Sequence, residues 1–303
     1  MSGFVSVYPL GQKKHVLRLK AGLDNPSRIA FDSEGNIYVA NDTSVCEFAP
    51  GSRKRLRTLD GGVGTHGDLT IDAGGTAYVG YYFGRASRIS IYPPGKEQPT
   101  LDITKGVTAP VAVAVDSAGN LYVANAGNPS NVKVYAPGGK SPVRSLGGHF
   151  VEPTSLAFDT DGNLYVADKG DQQYGVRSKN ARVAVYPPGS SKPSRVIRAG
   201  LRGPVALKFD SAGNLYVGNV FVDKKPEARG YVSVYAPGAT KPMYSTDTVN
   251  TYEILLGLDP QNNLYVGHSG TNGVVSIYPP GSSKPSSRIS YAIDTLQGIG
   301  VSP

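Results

Sequence analysis

The stretch FDSAGNLYVGN, Phe209 to Asn219, holds the end of one strand, a glycine turn and the start of another. Asp, Gly and Asn supply the backbone freedom and local hydrogen bonds that a tight reversal needs, and Leu215 resumes an alternating strand. Five near-copies run along the chain. They are FDSEGNIYVAN (Phe31–Asn41), IDAGGTAYVGY (Ile71–Tyr81), VDSAGNLYVAN (Val115–Asn125), FDTDGNLYVAD (Phe158–Asp168) and LDPQNNLYVGH (Leu258–His268). Their tyrosines, at 38, 78, 122, 165, 216 and 265, are spaced by 40, 44, 43, 51 and 49 residues. Self-similarity at that period marks an array of supersecondary units, and propeller blades fit it best.

Each unit reads as four strands. A short apolar strand A (RIAFD, AVAVD, SLAFD) meets the glycine turn, and strand B (NLYVAN) runs back. Strand C recurs as VSVYPLG, VCEFAPG, ISIYPPG, VKVYAPG, VAVYPPG, VSVYAPG and VSIYPPG, and its proline ends the ladder because it has no amide proton to donate. Strand D (SRVIRAG, VLRLKAG) is the most charged, as suits an edge that must resist pairing with other molecules. Four-stranded antiparallel sheets repeated in this way are propeller blades. Strand C occurs seven times and strand B six. The chain opens with C and D (Phe4–Lys20) and ends with an A-like LQGIGVSP (Leu296–Pro303). The expectation is an all-β propeller occupying residues 1–303 as one domain. Seven blades are favoured, the closing one split between the termini, with a six-bladed ring and surplus terminal strands as the alternative.

The pattern P-x-x-[IVL]-A-[FV]-D-x-x-G-N-[LI]-Y-V-A-[ND], followed by V-x-V-Y, resembles the NHL-type repeat. It is also similar to the repeats of virginiamycin B lyase-like and gluconolactonase-like propellers. The resemblance covers essentially the whole chain. It implies a propeller but leaves activity open, since such relatives include enzymes, ligand sensors and interaction modules. It also implies a secreted or periplasmic location. The first residues, MSGFVSVYPLG, read as neither a signal nor a transit peptide, so the chain is cytoplasmic or a leader has been removed.

Composition narrows the classes further. The 303 residues include 38 glycines, 23 prolines, 19 tyrosines, 8 phenylalanines and no tryptophan, and no segment shows sustained helical spacing. A single cysteine, Cys46, excludes an internal disulfide framework and reads as a small buried hydrophobe. No eighteen-residue apolar run marks a membrane span. The net charge of +8 is carried by dispersed short clusters, such as Lys13-Lys14 and Arg53 to Arg57, which argues against nucleic acid. A monomer is expected. No zinc spacing, phosphate-cradling loop or nucleophile elbow occurs.

Functional side chains in a repeat array are expected where the consensus breaks. The residue six before the strand-A Asp is Pro26, Pro110, Pro153 or Pro204 in four units, but His66 and Glu253 in two others. The last residue of B is Asn41, Asn125 or Asn219, against Tyr81, Asp168 and His268. His149 and Glu152 enter on the same loop face, at the starts of A and the ends of B. One expectation is a divalent metal (Mg, Mn, Zn or Ca) or an acid–base pair at the channel mouth, with His66, His268 and Glu253 catalytic and Glu253 and His268 as ligands. Virginiamycin B lyase-like enzymes use histidine and glutamate at such a mouth, but no stretch here reproduces their motif spacing. The other expectation is a binding or scaffold module, taking a protein, peptide or carbohydrate on this face. Tyr81, Tyr82, Asp168, Tyr174, Tyr252, His149 and Glu152 would contact that ligand, with Tyr231 nearby. Long polar loops from Lys169 to Ala181 and from Val220 to Gly230 favour recognition. Whether the protein is an enzyme stays open at this point.

Overall fold

A computed structural model describes residues 3–64, 67–83, 86–171, 179–222, 228–268, 273–290 and 296–302. The fold is an all-β propeller built from six blades, each an antiparallel sheet in the order A-B-C-D. Blade 1 consists of Arg28–Phe31, Ile37–Ala40, Ser44–Phe48 and Arg55–Asp60; blade 2 of Leu69–Ile71, Ala77–Phe83, Ala86–Tyr92 and Leu101–Ile103. Blade 3 contains Pro110–Val115, Leu121–Asn125, Asn131–Tyr135 and Arg144–Ser145. Blade 4 contains Pro153–Phe158, Leu164–Asp168, Arg182–Tyr186 and Arg195–Ile197. Blade 5 has Pro204–Phe209, Leu215–Val222, Ala228–Tyr235 and Tyr244–Ser245, with Val249–Asn250 as an extra short strand on its third member. Blade 6 has Ile254–Leu258, Leu264–His268, Val274–Tyr278 and Ser287–Ile289.

Seven blades are therefore corrected to six. Val5–Val7 and Leu17–Leu19 form a sheet of only two strands, in the C and D roles, and the A-like residues 296–302 are in no strand. The missing B strand explains this. In every complete blade B pairs with both A and C, so without it an A-like segment has no ladder to join.

Two compact units divide the chain. Residues 3–128, 132–144 and 302 hold the two-stranded sheet, blades 1 and 2 and all of blade 3 but Asn131 and Ser145, and residues 129–131 and 145–301 hold blades 4 to 6. Within each unit, consecutive sheets bury their apolar faces against each other. Tyr38 and Leu59 of blade 1 pack with Leu69 and Val79 of blade 2, and Tyr165 and Val183 of blade 4 pack with Leu207 and Val217 of blade 5. The two-stranded sheet buries Leu17 and Leu19 against Ile37, Val39, Cys46 and Phe48 of blade 1. Each large side chain so buried contributes about 1.5–3 kcal/mol. Cys46 is buried as expected, with its Sγ 3.3 Å from the carbonyl of Gly22.

The glycine turns are stapled by their aspartates. Asp210 Oδ1 accepts from the amides of Ala212 (3.0 Å) and Asn214 (2.8 Å), while Oδ2 accepts from Asn214 Nδ2 (2.9 Å) and the hydroxyl of Tyr216 (3.2 Å). Asp32, Asp72, Asp116, Asp159 and Asp259 repeat the two amide contacts. The residue three after each Asp has a left-handed backbone. It is glycine in five units and Asn262, at φ 62°, in the sixth, a conformation Asn tolerates better than most residues. Strand-D arginines then close on the tyrosines from the other side: Arg57, Arg144 and Arg195 donate to the hydroxyls of Tyr38 (3.2 Å), Tyr122 (3.1 Å) and Tyr165 (2.7 Å). The charge of strand D, read from sequence as edge protection, thus also serves an internal hydrogen-bond chain.

Candidate functional site

The consensus asparagine at the end of strand B fastens the loop that leads into its own blade. Asn41 Oδ1 accepts from the amide of Asp24 (3.1 Å), Asn125 Oδ1 from Thr108 (2.8 Å) and Asn219 Oδ1 from Arg202 (3.1 Å). In each case the amide lies seventeen residues upstream. Such a buried side chain replaces the water an orphan loop amide would otherwise need.

Asp168 performs the same task with a charge. Its side chain is fully buried and accepts from the amides of Val151 (3.1 Å) and Glu152 (2.9 Å), while Arg182 Nη2 sits 3.2 Å from Oδ2. Arg182 also donates to the carbonyls of Gly148 and His149 and lies 5.6 Å from the ring centroid of Phe150. The loop carrying His149 and Glu152 is therefore tied down from beneath. His149 is exposed, with φ 49°, and Glu152 forms an ion pair with Lys169 at 3.1 Å.

Two departures from the asparagine rule have a structural cause. Seventeen residues before Tyr81 is Gly64, whose amide donates to the carbonyl of Asp42 at 3.0 Å. Seventeen before His268 is Thr251, whose amide donates to the carbonyl of Ala228 at 2.9 Å. A neighbouring blade's backbone satisfies both amides, which frees both positions from the need for an acceptor.

What fills the freed positions differs. Tyr81 lies in the extended B–C hairpin of blade 2, with the guanidinium of Arg88 4.2 Å from its ring centroid, and Tyr82 pairs with Gly64 through a backbone bridge. His268 is only 8 % exposed. Its Nε2 contacts Ser276 Oγ at 3.1 Å and its Nδ1 is buried with no hydrogen-bond partner. Desolvation, assisted by the nearby positive charge of Arg288, lowers its pKa to about 4, so the imidazole is neutral at pH 7.

Glu253 directly precedes strand A of blade 6, whose first pair is Ile254 with His268. In blades 3, 4 and 5 the equivalent proline pairs with the consensus last residue of B and the register shifts just after it; in blade 1, despite Pro26, and in blade 6, with Glu253, the ladder runs without a shift. Glu253 and His268 therefore lie at the same end of blade 6. Thr251 Oγ1 holds the Glu253 backbone, donating to its carbonyl (2.6 Å) and accepting from its amide (3.2 Å). His66 and Tyr174 lie outside the described residues. Among the described residues, no three His, Cys, Asp or Glu side chains form a group able to hold a metal.

Of the loop expected from Lys169 to Ala181, residues 172–178 lie outside the described residues, as do 223–227 of the loop from Val220 to Gly230. In blade 5 Val220–Val222 and Ala228–Gly230 prolong the B–C ladder, adding the pairs Val220–Gly230, Phe221–Arg229 and Val222–Ala228. In blade 2 the pairs Tyr81–Arg88, Tyr82–Ser87 and Phe83–Ala86 do the same. Sequence reading missed Phe83, 60 % exposed at the end of its strand, and Phe221, over which Arg202 sits 3.9 Å from the ring centroid. Their signal was the run of aromatic and β-branched residues continuing past the consensus end of B. Tyr252 is 71 % exposed. Tyr231 is held within its blade by a 3.0 Å bond from its hydroxyl to the carbonyl of Gly200.

Comparison with known proteins gives the fold and no more. No family model matches the chain, and no curated protein matches it. Among solved structures, Kuenenia stuttgartiensis hydrazine synthase is similar, with a TM-score of 0.74 at 17 % identity over 98 % of this chain and 94 % of that one. Among the described residues no helix is long and apolar enough to cross a membrane.

Proposed function

We propose that the chain is a binding or scaffold module that takes a protein, peptide or carbohydrate on the ends of its blades where A strands begin and B strands finish. One observation carries this reading. The B strands of blades 2 and 5 have seven and eight residues, against four or five elsewhere, and the added pairs of blade 2 present Tyr81, stacked by Arg88, and the exposed Phe83, while Phe221 of blade 5 is buried under Arg202. Aromatic and guanidinium groups held on paired strands suit recognition, because they offer contact area at small entropic cost. The consensus positions nearby are engaged in holding loops, so recognition falls to these additions and to the exposed His149, Tyr252 and Glu152–Lys169 surface. The test is capture on glycan and peptide arrays by the wild type and by Phe83→Ser and Tyr252→Ser variants. The reading expects a defined ligand set that shrinks in at least one variant at unchanged melting temperature. An empty or unaltered set overturns it.

A second reading, a metal-assisted lyase or lactone hydrolase using His66, Glu253 and His268, is favoured by one atom. The buried, unpartnered Nδ1 of His268 belongs to a neutral imidazole, the form that ligates divalent metals. Elemental analysis of the wild type and of His268→Asn decides it: equal metal content, including none, ends this reading.

A further inference from the structure

Two basic clusters that lie far apart in sequence meet on one surface. The strand Leu17–Leu19 takes the D position of the two-stranded sheet, and Arg53 lies in the turn between strands C and D of blade 1. Together they border a recess of about 620 Å³ lined by His15, Val16, Arg18, Lys20, Ala21 and Arg53. No acidic side chain lines it. The ion pairs formed among the described residues use Arg28, Arg57, Lys169 and Arg182, none of which belongs to this group. Arg18 is held flat by the ring of Phe4, 4.5 Å from its guanidinium carbon, and its Nε is buried without a hydrogen-bond partner. The His15 ring is set edge-on against Tyr8, at 6.0 Å between centroids.

We infer that this recess binds a sugar-sized ligand carrying several phosphate or sulfate esters. Three basic side chains, Arg18, Lys20 and Arg53, with no acidic partner among the described residues leave a positive potential that a multiply charged anion neutralises. Guanidinium forks match the tetrahedral oxyanion, and a fixed Arg18 loses little freedom on engaging one. The volume falls in the range of small-molecule sites and far exceeds a lone ion, while Val16 and Ala21 give apolar surface for a carbon frame. Dispersed charge, the reading the sequence invites, does not describe this place.

Calorimetric titration of the full chain at low salt tests the inference, with sucrose octasulfate, inositol hexakisphosphate and neutral sucrose as probes. The expected result is one saturable site for at least one ester and none for sucrose, with affinity falling as salt is added. The better of the two esters identifies sulfate or phosphate as the class. Arg53 is exposed, so Arg53→Ala leaves the fold intact and is expected to weaken binding about tenfold or more, with Arg53→Glu abolishing it. Arg18→Ala is expected to act similarly, with circular dichroism to confirm that loss of the Phe4 contact has not unfolded the sheet. Absence of saturable binding by both esters overturns the proposal, as does unchanged affinity in Arg53→Glu. Equally tight binding of a dT oligonucleotide that survives Arg53→Glu also overturns it, since the charge would then be acting diffusely.

Discussion

The amide of Thr251 donates to the carbonyl of Ala228 at 2.9 Å, and this bond releases the position seventeen residues later, His268, from the acceptor role that asparagine plays elsewhere. The substitution is thus permitted by the backbone, and the imidazole that occupies the site is buried and neutral.

That burial makes stability depend on pH. The folded pKa of His268, about 4, is below the ordinary value of 6.5, so its contribution is fully present above pH 6.5 and is lost as pH falls toward 4. The difference amounts to about 3 kcal/mol at most. Urea denaturation at pH 7.5, 5.5 and 4.5 is expected to show a decline in the wild type that is smaller in His268→Asn. Parallel curves for the two proteins would refute the assignment.

The strand-B asparagines should be costly to remove. Asn125→Ala leaves the Thr108 amide and the Gly106 carbonyl without their side-chain partner and is expected to cost about 1–3 kcal/mol. Tyr81→Ala, at the equivalent place in blade 2, leaves the Gly64 amide on Asp42 and is expected to cost less. Denaturant midpoints measured side by side compare the two, and equal losses would contradict the loop-fastening role.

Asp168→Ala strands Arg182 beside a cavity and releases the amides of Val151 and Glu152. A loss of about 3–5 kcal/mol is expected, as for breaking a buried ion pair from one side. Asp168→Asn restores the blade consensus and should recover part of it. Thermal unfolding of both variants gives the comparison; equal damage would mean that charge, not the hydrogen-bond geometry, holds the loop.

The interior tyrosines resist ionisation. Burial raises Tyr38, Tyr78, Tyr135 and Tyr186 to about 12. Their contribution is complete below pH 10 and declines as pH rises from 10 to 12, because the unfolded chain releases those protons first. Ultraviolet titration of the folded protein should show these four hydroxyls ionising well above pH 10. A single step near pH 10 in the folded protein would exclude the burial described.

Much of this architecture was legible because the repeat is chemical as well as statistical. Asp210, Gly213, Asn214 and Tyr216 recur because one carboxylate satisfies two amides, an amide side chain and a phenol. The blade number was not: six B strands against seven C strands were already countable, but the count does not say whether Val5–Val7 and Leu296–Val301 still share a sheet without a B strand between them. The site expectations treated each break in the consensus as a functional signal. At Tyr81 and His268 the break follows from a backbone bond supplied by a neighbouring blade, which no motif encodes. Arg18 and Arg53 were separately visible as charges, but only packing of the terminal sheet on blade 1 brings them to one recess.

The aspartate-stapled turns also bear on how the chain finds its fold. Every staple closes within six residues, from Asp210 to Tyr216 for example, so it needs no distant segment to be in place. Ring closures this short are fast and lose little entropy, which lets hairpins begin at six points of the chain independently. Pulse-labelled hydrogen exchange during refolding should find the amides of Asn36, Thr76, Asn120, Asn163, Asn214 and Asn263 protected early and together, ahead of the amides that await a neighbouring blade.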